Sequence, residues 1–411
     1  MNRGKSIVYT PKKIGKIEIK NRLVKSATYE NAAAMNGDVT DSLLEMYSGL
    51  AKGGVGMIIT GLALVYSKNI SVHRAMRIYD DRYMTGLKRL TRSVHAADKD
   101  CKLVLQLFHP GRQIATAESG LNLVPYFSPA LMEYMGKHPE ALAREQSDDA
   151  PAEPTAPSAV LDKLLKQTPR ALTVEEIEEI VSCFAKGIKK AQEVGFDGVQ
   201  LHAAHGWLLS SFLSPHTNKR EDRYGGSLEN RSRIIEEIYE EGRKRVGEDF
   251  PILIKMNITD FFPDGTTIPD SVKMATILSR LGFNAIEASG GMWESLILGE
   301  EKLGWKPYLI PEARLGIDSK DKEAYFLEGA REIKRQIESP VMIVGGIRSF
   351  SKVEEILDRG EADFVSMARP LIRQPDLPNI WLSGGPDRAK CISCNACFPV
   401  GNQPIACHAQ R

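Results

Sequence analysis

The chain has 411 residues, a formal net charge of +1 and 42% hydrophobic residues. That content can bury one large α/β barrel as readily as several small domains, while near-zero charge argues against a nucleic acid or an anionic membrane as partner. The basic segment at residues 1–13 lacks the apolar run of a signal peptide, and no stretch approaches the roughly 18 apolar residues of a membrane span, so a cytoplasmic protein acting on a small molecule is expected. Short apolar runs alternate with amphipathic stretches along the chain. The predicted strands are Leu23–Ala27, Val55–Thr60, Leu103–Phe108, Gly198–His202, Ile252–Asn257, Ala285–Ser289, Val341–Val344 and Asp363–Met367. Their Val, Ile, Leu and Met content suits strands covered on both faces. Helical spacing is clearest over Thr173–Val194, where Thr173 and Glu176 form a capping-box pair, and it recurs over Asp270–Leu281 and Glu323–Ile337.

Eight strand–helix units predict a (β/α)8 TIM barrel rather than an open sheet. An open nucleotide-binding sheet carries Gly-x-Gly-x-x-Gly after its first strand, whereas here Thr28, Tyr29, Glu30, Asn31 and Ala32 follow. In a barrel, chemistry sits where strands run into their following loops. The unusual polar residues fall there: Ser26 to Tyr29, Gln106, His109, His202, His205, Lys255, Asn257 and Arg369. The barrel is expected over residues 1–382, with a proline-rich insertion at about 115–167. That insertion is either a lid or substrate wall over the barrel mouth, or a partly disordered excursion. Residues 383–411 form a short Cys-rich C-terminal extension.

Three groups of residues point to chemistry. His202 and His205 close the fourth strand, where paired imidazoles can polarise a carbonyl, although a packed histidine pair has the same spacing. Lys255 follows three apolar residues in the fifth strand, so it either meets an anionic group or snorkels at the strand end. Gly345-Gly346 and Ala368-Arg369 end the last two strands, the usual phosphate corner of a barrel; tight turns and a surface arginine are the plainer alternative.

The ordered segments Ile19-Lys20-Asn21-Arg22, Gln106-Leu107-Phe108-His109-Pro110-Gly111-Arg112, Ala156-Pro157-Ser158-Ala159, Gly195-Phe196-Asp197-Gly198, His202-Ala203-Ala204-His205-Gly206, Phe212-Leu213-Ser214-Pro215, Arg223-Tyr224-Gly225-Gly226-Ser227, Glu229-Asn230-Arg231 and Val344-Gly345-Gly346-Ile347 resemble the old yellow enzyme (NADH:flavin oxidoreductase) family. The likeness is strongest to the flavin barrels of 2,4-dienoyl-CoA reductases and trimethylamine dehydrogenases, and it runs over about residues 8 to 382. It implies FMN, with Ser26, Ala27 and Thr28 against the ring, Gln106 at the pyrimidine edge and Lys255 at N1 and O2. Gly345, Gly346, Ala368 and Arg369 would hold the phosphate, and His202 and His205 the substrate carbonyl. The implied reaction passes hydride from NAD(P)H through the flavin to the β-carbon of an α,β-unsaturated carbonyl, including an enoyl- or aryl-derived CoA thioester. Many relatives carry a proton-donating tyrosine where this chain has Trp207, which leaves Tyr29 or Tyr66 as substitute acid. Flavin-dependent amine dehydrogenation, with Tyr29, Trp207 and Trp293 as an aromatic cage, is the alternative enzyme class, and an electron-transfer subunit is the non-enzymatic one.

Cys101 and Cys183 stand alone, whereas Cys391, Cys394, Cys397 and Cys407 crowd the tail. Four thiols this close suit a [4Fe–4S] cluster, structural zinc or reduced thiols. Dienoyl-CoA reductase-like relatives carry a cluster after the barrel, with one more residue before the third cysteine and a longer gap to the fourth. They continue into nucleotide and FAD domains, so a working cluster here implies an FAD-containing electron donor, and family habit implies a homo-oligomer.

Overall fold

The computed structural model describes residues 3–68, 74–115, 117–142 and 153–409. Eight strands, β1 Leu23–Lys25, β2 Met57–Leu64, β3 Lys102–Phe108, β4 Gly198–Ala203, β5 Ile252–Asn257, β6 Ala285–Ser289, β7 Val341–Ile343 and β8 Phe364–Met367, pair in parallel in chain order. The β8–β1 and β1–β2 pairings close the ring, so the expected TIM barrel forms. Closure satisfies every strand edge with a neighbour, which is why nearly all strand residues can be buried.

The helices between strands cover the outside: α1 Asp41–Lys52, α2 Met84–Ala97, α3 Val174–Glu193, α4 Leu228–Val246, α5 Ile268–Leu281, α6 Leu327–Gln336, α7 Phe350–Asp358 and α8 Leu377–Leu382. The capping box of α3 forms as its sequence predicts. The Thr173 hydroxyl accepts from the Glu176 amide at 3.2 Å, and the Glu176 carboxylate accepts from the Thr173 amide at 2.8 Å. One face of α3 then buries Ile177, Ile180, Phe184 and Ile188 against the sheet. Among the described residues no helix is long and apolar enough to cross a membrane.

Inside the ring the lower half is apolar. Val24, Met57, Ile59, Val104, Leu253, Met342 and Phe364 pack together, and a hairpin of Lys12–Ile14 with Ile17–Ile19 caps them from below with Ile14 and Ile19. Two strands depart from their sequence boundaries by more than one residue. β1 ends at Lys25, so Ser26 to Thr28 already belong to the loop, and β2 runs past Thr60 to Leu64 through a register shift between Ile59 and Leu62. The shift sits at Gly61, whose amide donates to Glu30 Oε1 at 2.7 Å.

Of the insertion, residue 116 and residues 143–152, Pro151 among them, lie outside the described residues. The rest forms short helices, including Pro129–Lys137, and a two-residue strand Thr155–Ala156 paired with Arg170–Ala171. Leu131 of that helix packs with Val400 of the tail, Tyr134 stacks on His408 at 3.8 Å, and the Tyr134 hydroxyl donates to Gln403 at 2.7 Å. Insertion and Cys-rich tail are therefore packed as one layer over the barrel mouth.

Asp363 ties the bottom of the ring together. It accepts from the Val341 amide at 2.8 Å and pairs with Lys12 at 2.6 Å and Lys334 at 2.8 Å. Burial pushes its carboxyl up, but the two lysines and the amide outweigh it and hold the pKa below the ordinary aspartate value. A depressed folded-state pKa adds stability above the unfolded pKa, and that stability is lost as pH falls through the folded one. Asp363→Asn should therefore lose about 1.5–3 kcal/mol at neutral pH, a difference that narrows below about pH 4; urea unfolding across pH measures both.

Candidate active site

The upper half of the ring is polar. Lys255 on β5 donates to Ser26 Oγ at 3.0 Å and lies 3.6 Å from Glu287 on β6. Ser26 donates to Glu287 at 2.7 Å, Gln200 on β4 donates to Glu287 at 3.0 Å, and Gln106 on β3 donates to Gln200 at 2.7 Å. Burial raises the Glu287 pKa, but Lys255 and these donors hold it below the usual glutamate value. The carboxylate is thus the fixed counter-charge that allows an ammonium inside the ring.

Above this layer opens a cavity of about 740 Å3, within the range of small-ligand sites. It collects all of the sequence-predicted ring and phosphate positions: Ser26, Ala27, Thr28, Gln106, Lys255, Gly345, Gly346, Ala368 and Arg369. Tyr29, His202 and His205 line it as well. Gly345 (φ 134) and Gly346 (φ 71) require glycine, and a Cβ on Gly346 would come within 2.7 Å of the Tyr325 ring. Arg369 donates to the Arg314 carbonyl at 2.9 Å and to Asn395 at 2.6 Å.

The two histidines are not equivalent. His205 has a left-handed backbone (φ 65), held by Asn257 accepting its amide at 3.0 Å and Gln113 donating to its carbonyl at 2.8 Å. Its Nε2 lies 2.7 Å from Ser289 Oγ and its Nδ1 3.4 Å from Glu312. His202 Nδ1 is buried with no partner among the described residues. Burial, with Lys255 nearby, drives both pKa values well below that of a free histidine, so both rings are neutral at physiological pH.

Of the two tyrosines offered as acids, Tyr66 lies elsewhere: its hydroxyl donates to Glu179 on α3 at 3.1 Å. Tyr29 faces the cavity, but its phenolic proton goes to Asn31 at 2.7 Å. Trp207 and Trp293 pack edge to face at 5.3 Å beside it. Sequence reasoning missed Glu287, Arg348 and Glu312. A lone acid in the apolar strand Ala285–Ser289 and an arginine two residues beyond Gly345-Gly346 carried a signal; Glu312, in an irregular loop, carried none.

The tail reaches the same cavity through Asn395, Cys397 and Phe398. Cys391, Cys394 and Cys407 all act electrostatically on Cys397, whose thiol burial pushes up to about 12. Arg373 lies 3.2 Å from the Cys407 sulfur. Among the described residues, however, no three His, Cys, Asp or Glu side chains converge on a point that could hold a metal ion.

A barrel mouth with a charged floor and a glycine corner suits a planar, partly anionic cofactor with a phosphate, which puts the chain in the class of flavin-binding barrel oxidoreductases. It belongs to the NADH:flavin oxidoreductase / NADH oxidase family, whose sequence model matches residues 7–386. A metal reductase of Desulforamulus reducens is 34% identical over 391 residues, 95% of this chain and 51% of the relative. A 4,4'-dithiodibutanoate disulfide reductase of Rhodococcus erythropolis is 30% identical over 410 residues, 96% of this chain and 92% of the relative. A 2-naphthoyl-CoA reductase bound to 2-naphthoyl-CoA matches with TM-score 0.77 and 25% identity, over 97% of this chain and 54% of that one. The chain spans about half the length of the metal reductase and of an NADH oxidase from Thermoanaerobacter brockii.

Gly61 tests the geometry of the cavity rim. A Cβ there would lie 2.1 Å from the Glu30 carboxylate and 2.2 Å from the Thr28 carbonyl, and that carbonyl is backbone. Gly61→Ala should cost about 1–3 kcal/mol and move residues 28–30 inward, read as lower denaturant midpoints and weaker binding of added FMN.

Proposed function

We propose that the chain is the FMN-binding barrel of an ene-reductase, taking hydride equivalents from NAD(P)H and saturating an α,β-unsaturated carbonyl compound. The observation that carries this reading is the single cavity joining a charged floor, a neutral histidine and an apolar aromatic wall. The residues fit a flavin: Lys255 offers an ammonium to the anionic edge, Gln106 an amide, and Ser26 to Thr28 a backbone shelf. Gly345, Gly346, Ala368 and Arg369 offer the phosphate corner, with Arg348 beside them. When bound, the flavin supplies reversible two-electron hydride chemistry.

The chain's own residues do the rest. His202, which lines the cavity, holds the substrate carbonyl and steadies the negative charge that grows on its oxygen. His205, engaged by Ser289 and Glu312, sets the edge of the same pocket. Trp207, Trp293, Leu123 and Phe127 exclude water and accept a broad apolar acyl group. The likeness to 2-naphthoyl-CoA reductase supports a CoA thioester as the carrier of that group.

For the tail we propose a [4Fe–4S] cluster held by Cys391, Cys394, Cys397 and Cys407. Four cysteines crowded into residues 391–407 support that reading. We place the protein in the reducing cytoplasm as a homo-oligomer, with an FAD-containing electron donor where the cluster is used. The aromatic set Tyr29, Trp207 and Trp293 favours one other reading, oxidation of a cationic amine.

Anaerobic purification with ultraviolet–visible spectra and iron, sulfide and zinc analysis should give flavin bands and about four irons per chain. Lys255→Met should weaken FMN binding at least tenfold, and Cys394→Ser should lose iron while keeping flavin. Enones should reoxidise the reduced flavin; bleaching of the oxidised flavin by amines instead would replace the ene-reductase reading. Absence of flavin after FMN is added would overturn both.

A further inference from the structure

Reduction of an enone needs a proton as well as a hydride, and the phenols expected to give it are hydrogen-bonded to other groups. Trp207 has no acidic proton, Tyr29 has given its own to Asn31, and Tyr66 points at Glu179 outside the cavity.

Glu312 reaches the cavity from the long loop between β6 and α6. That loop is pinned: Ile310 takes a left-handed φ of 70, and the Tyr325 hydroxyl donates to the Glu312 carbonyl at 2.6 Å. One carboxyl oxygen lies 3.4 Å from His205 Nδ1. The other, Oε2, is buried and has no hydrogen-bond partner among the described residues. An ionised carboxylate so placed leaves an acceptor desolvated and unused, which favours the protonated form in a side chain that lines the cavity.

We propose that Glu312 is the catalytic acid that protonates the α-carbon of the substrate. The inference rests on the ene-reductase reading. A hydride, which carries two electrons, passes from reduced nicotinamide to the β-carbon as the C=C π bond breaks, leaving an enolate. The enolate electron pair then forms the α-carbon–hydrogen bond as the Glu312 O–H bond breaks, the carbonyl re-forms, and the carboxylate regains its proton from water. Burial raises the Glu312 pKa to about 7, more than its own backbone amide, Lys255 and Arg369 lower it. The groups that face it are neutral His205, the Tyr325 hydroxyl, and the Lys255 and Arg369 cations. The acid form is therefore present at neutral pH and lost above it.

The test compares two half-reactions of the FMN-loaded chain by stopped flow: bleaching by NADH, and reoxidation by 2-cyclohexenone. Glu312→Gln should slow reoxidation about 100-fold or more and slow bleaching far less. Wild-type reoxidation should decline above about pH 7, a limb absent from the Gln variant and retained in a slower Glu312→Asp. Infrared spectra of the flavin-free chain supply a readout independent of turnover. A carboxylic-acid C=O band should titrate near pH 7 and vanish in Glu312→Gln. Reoxidation by Glu312→Gln within threefold of wild type, or an unchanged infrared band, overturns the acid alone. Failure of 2-cyclohexenone to reoxidise the wild-type flavin overturns the ene-reductase reading and the acid with it.

Discussion

One ion pair sets the terms for this barrel. Lys255 stands buried at the floor of the cavity, where taking a cation out of bulk water is costly unless a fixed anion meets it. Glu287 is that anion, and it is itself saturated: Ser26 and Gln200 occupy its two oxygens, and Gln106 steadies Gln200. The network divides the ring into an apolar plug below and a polar floor above. It fixes the height of the cavity and sets the paired ammonium of Lys255 in its floor. Replacing Lys255 alone would leave Glu287 buried without its cation, so the pair stands or falls together.

The walls come from further away in the chain. The barrel supplies the floor and the glycine corner, but the sides are built by the insertion and the Cys-rich tail, which meet each other through Leu131 and Val400 and through Tyr134 and His408. Asn31 joins this layer to the first barrel loop by donating to the Gly401 and Gln403 carbonyls at 2.9 and 2.8 Å. Arg348 reaches both the Ile317 and Cys391 carbonyls. The tail is consequently part of the binding cavity as well as the carrier of four cysteines.

The barrel was legible because its signals are local. β5 and β6 run over the residues read from sequence, and the α3 capping box forms as spelled. The floor hairpin was not read, since three-residue strands carry too little periodicity to register. The apolar run predicts an end for β2 at Thr60, whereas Gly61 is the point where the register shifts and Glu30 and Thr28 approach the strand. Most cavity residues could be named because they follow apolar runs, where a polar side chain stands out. Glu312 could not, because a loop has no period for it to break, and its neighbours His205, Lys255 and Arg369 stand far from it in sequence. The contact between insertion and tail is of the same kind: nothing in either segment announces the other.

The hairpin beneath the ring has a consequence for traffic. With Ile14 and Ile19 seated in the apolar plug, the floor offers no passage, and the cavity is approached from the mouth. On the proposed ene-reductase reading, a nicotinamide and an alkene would both have to use that mouth. They would enter in turn, the first departing before the second arrives. The order of events would then be imposed by the architecture of the room rather than by any residue that recognises either visitor.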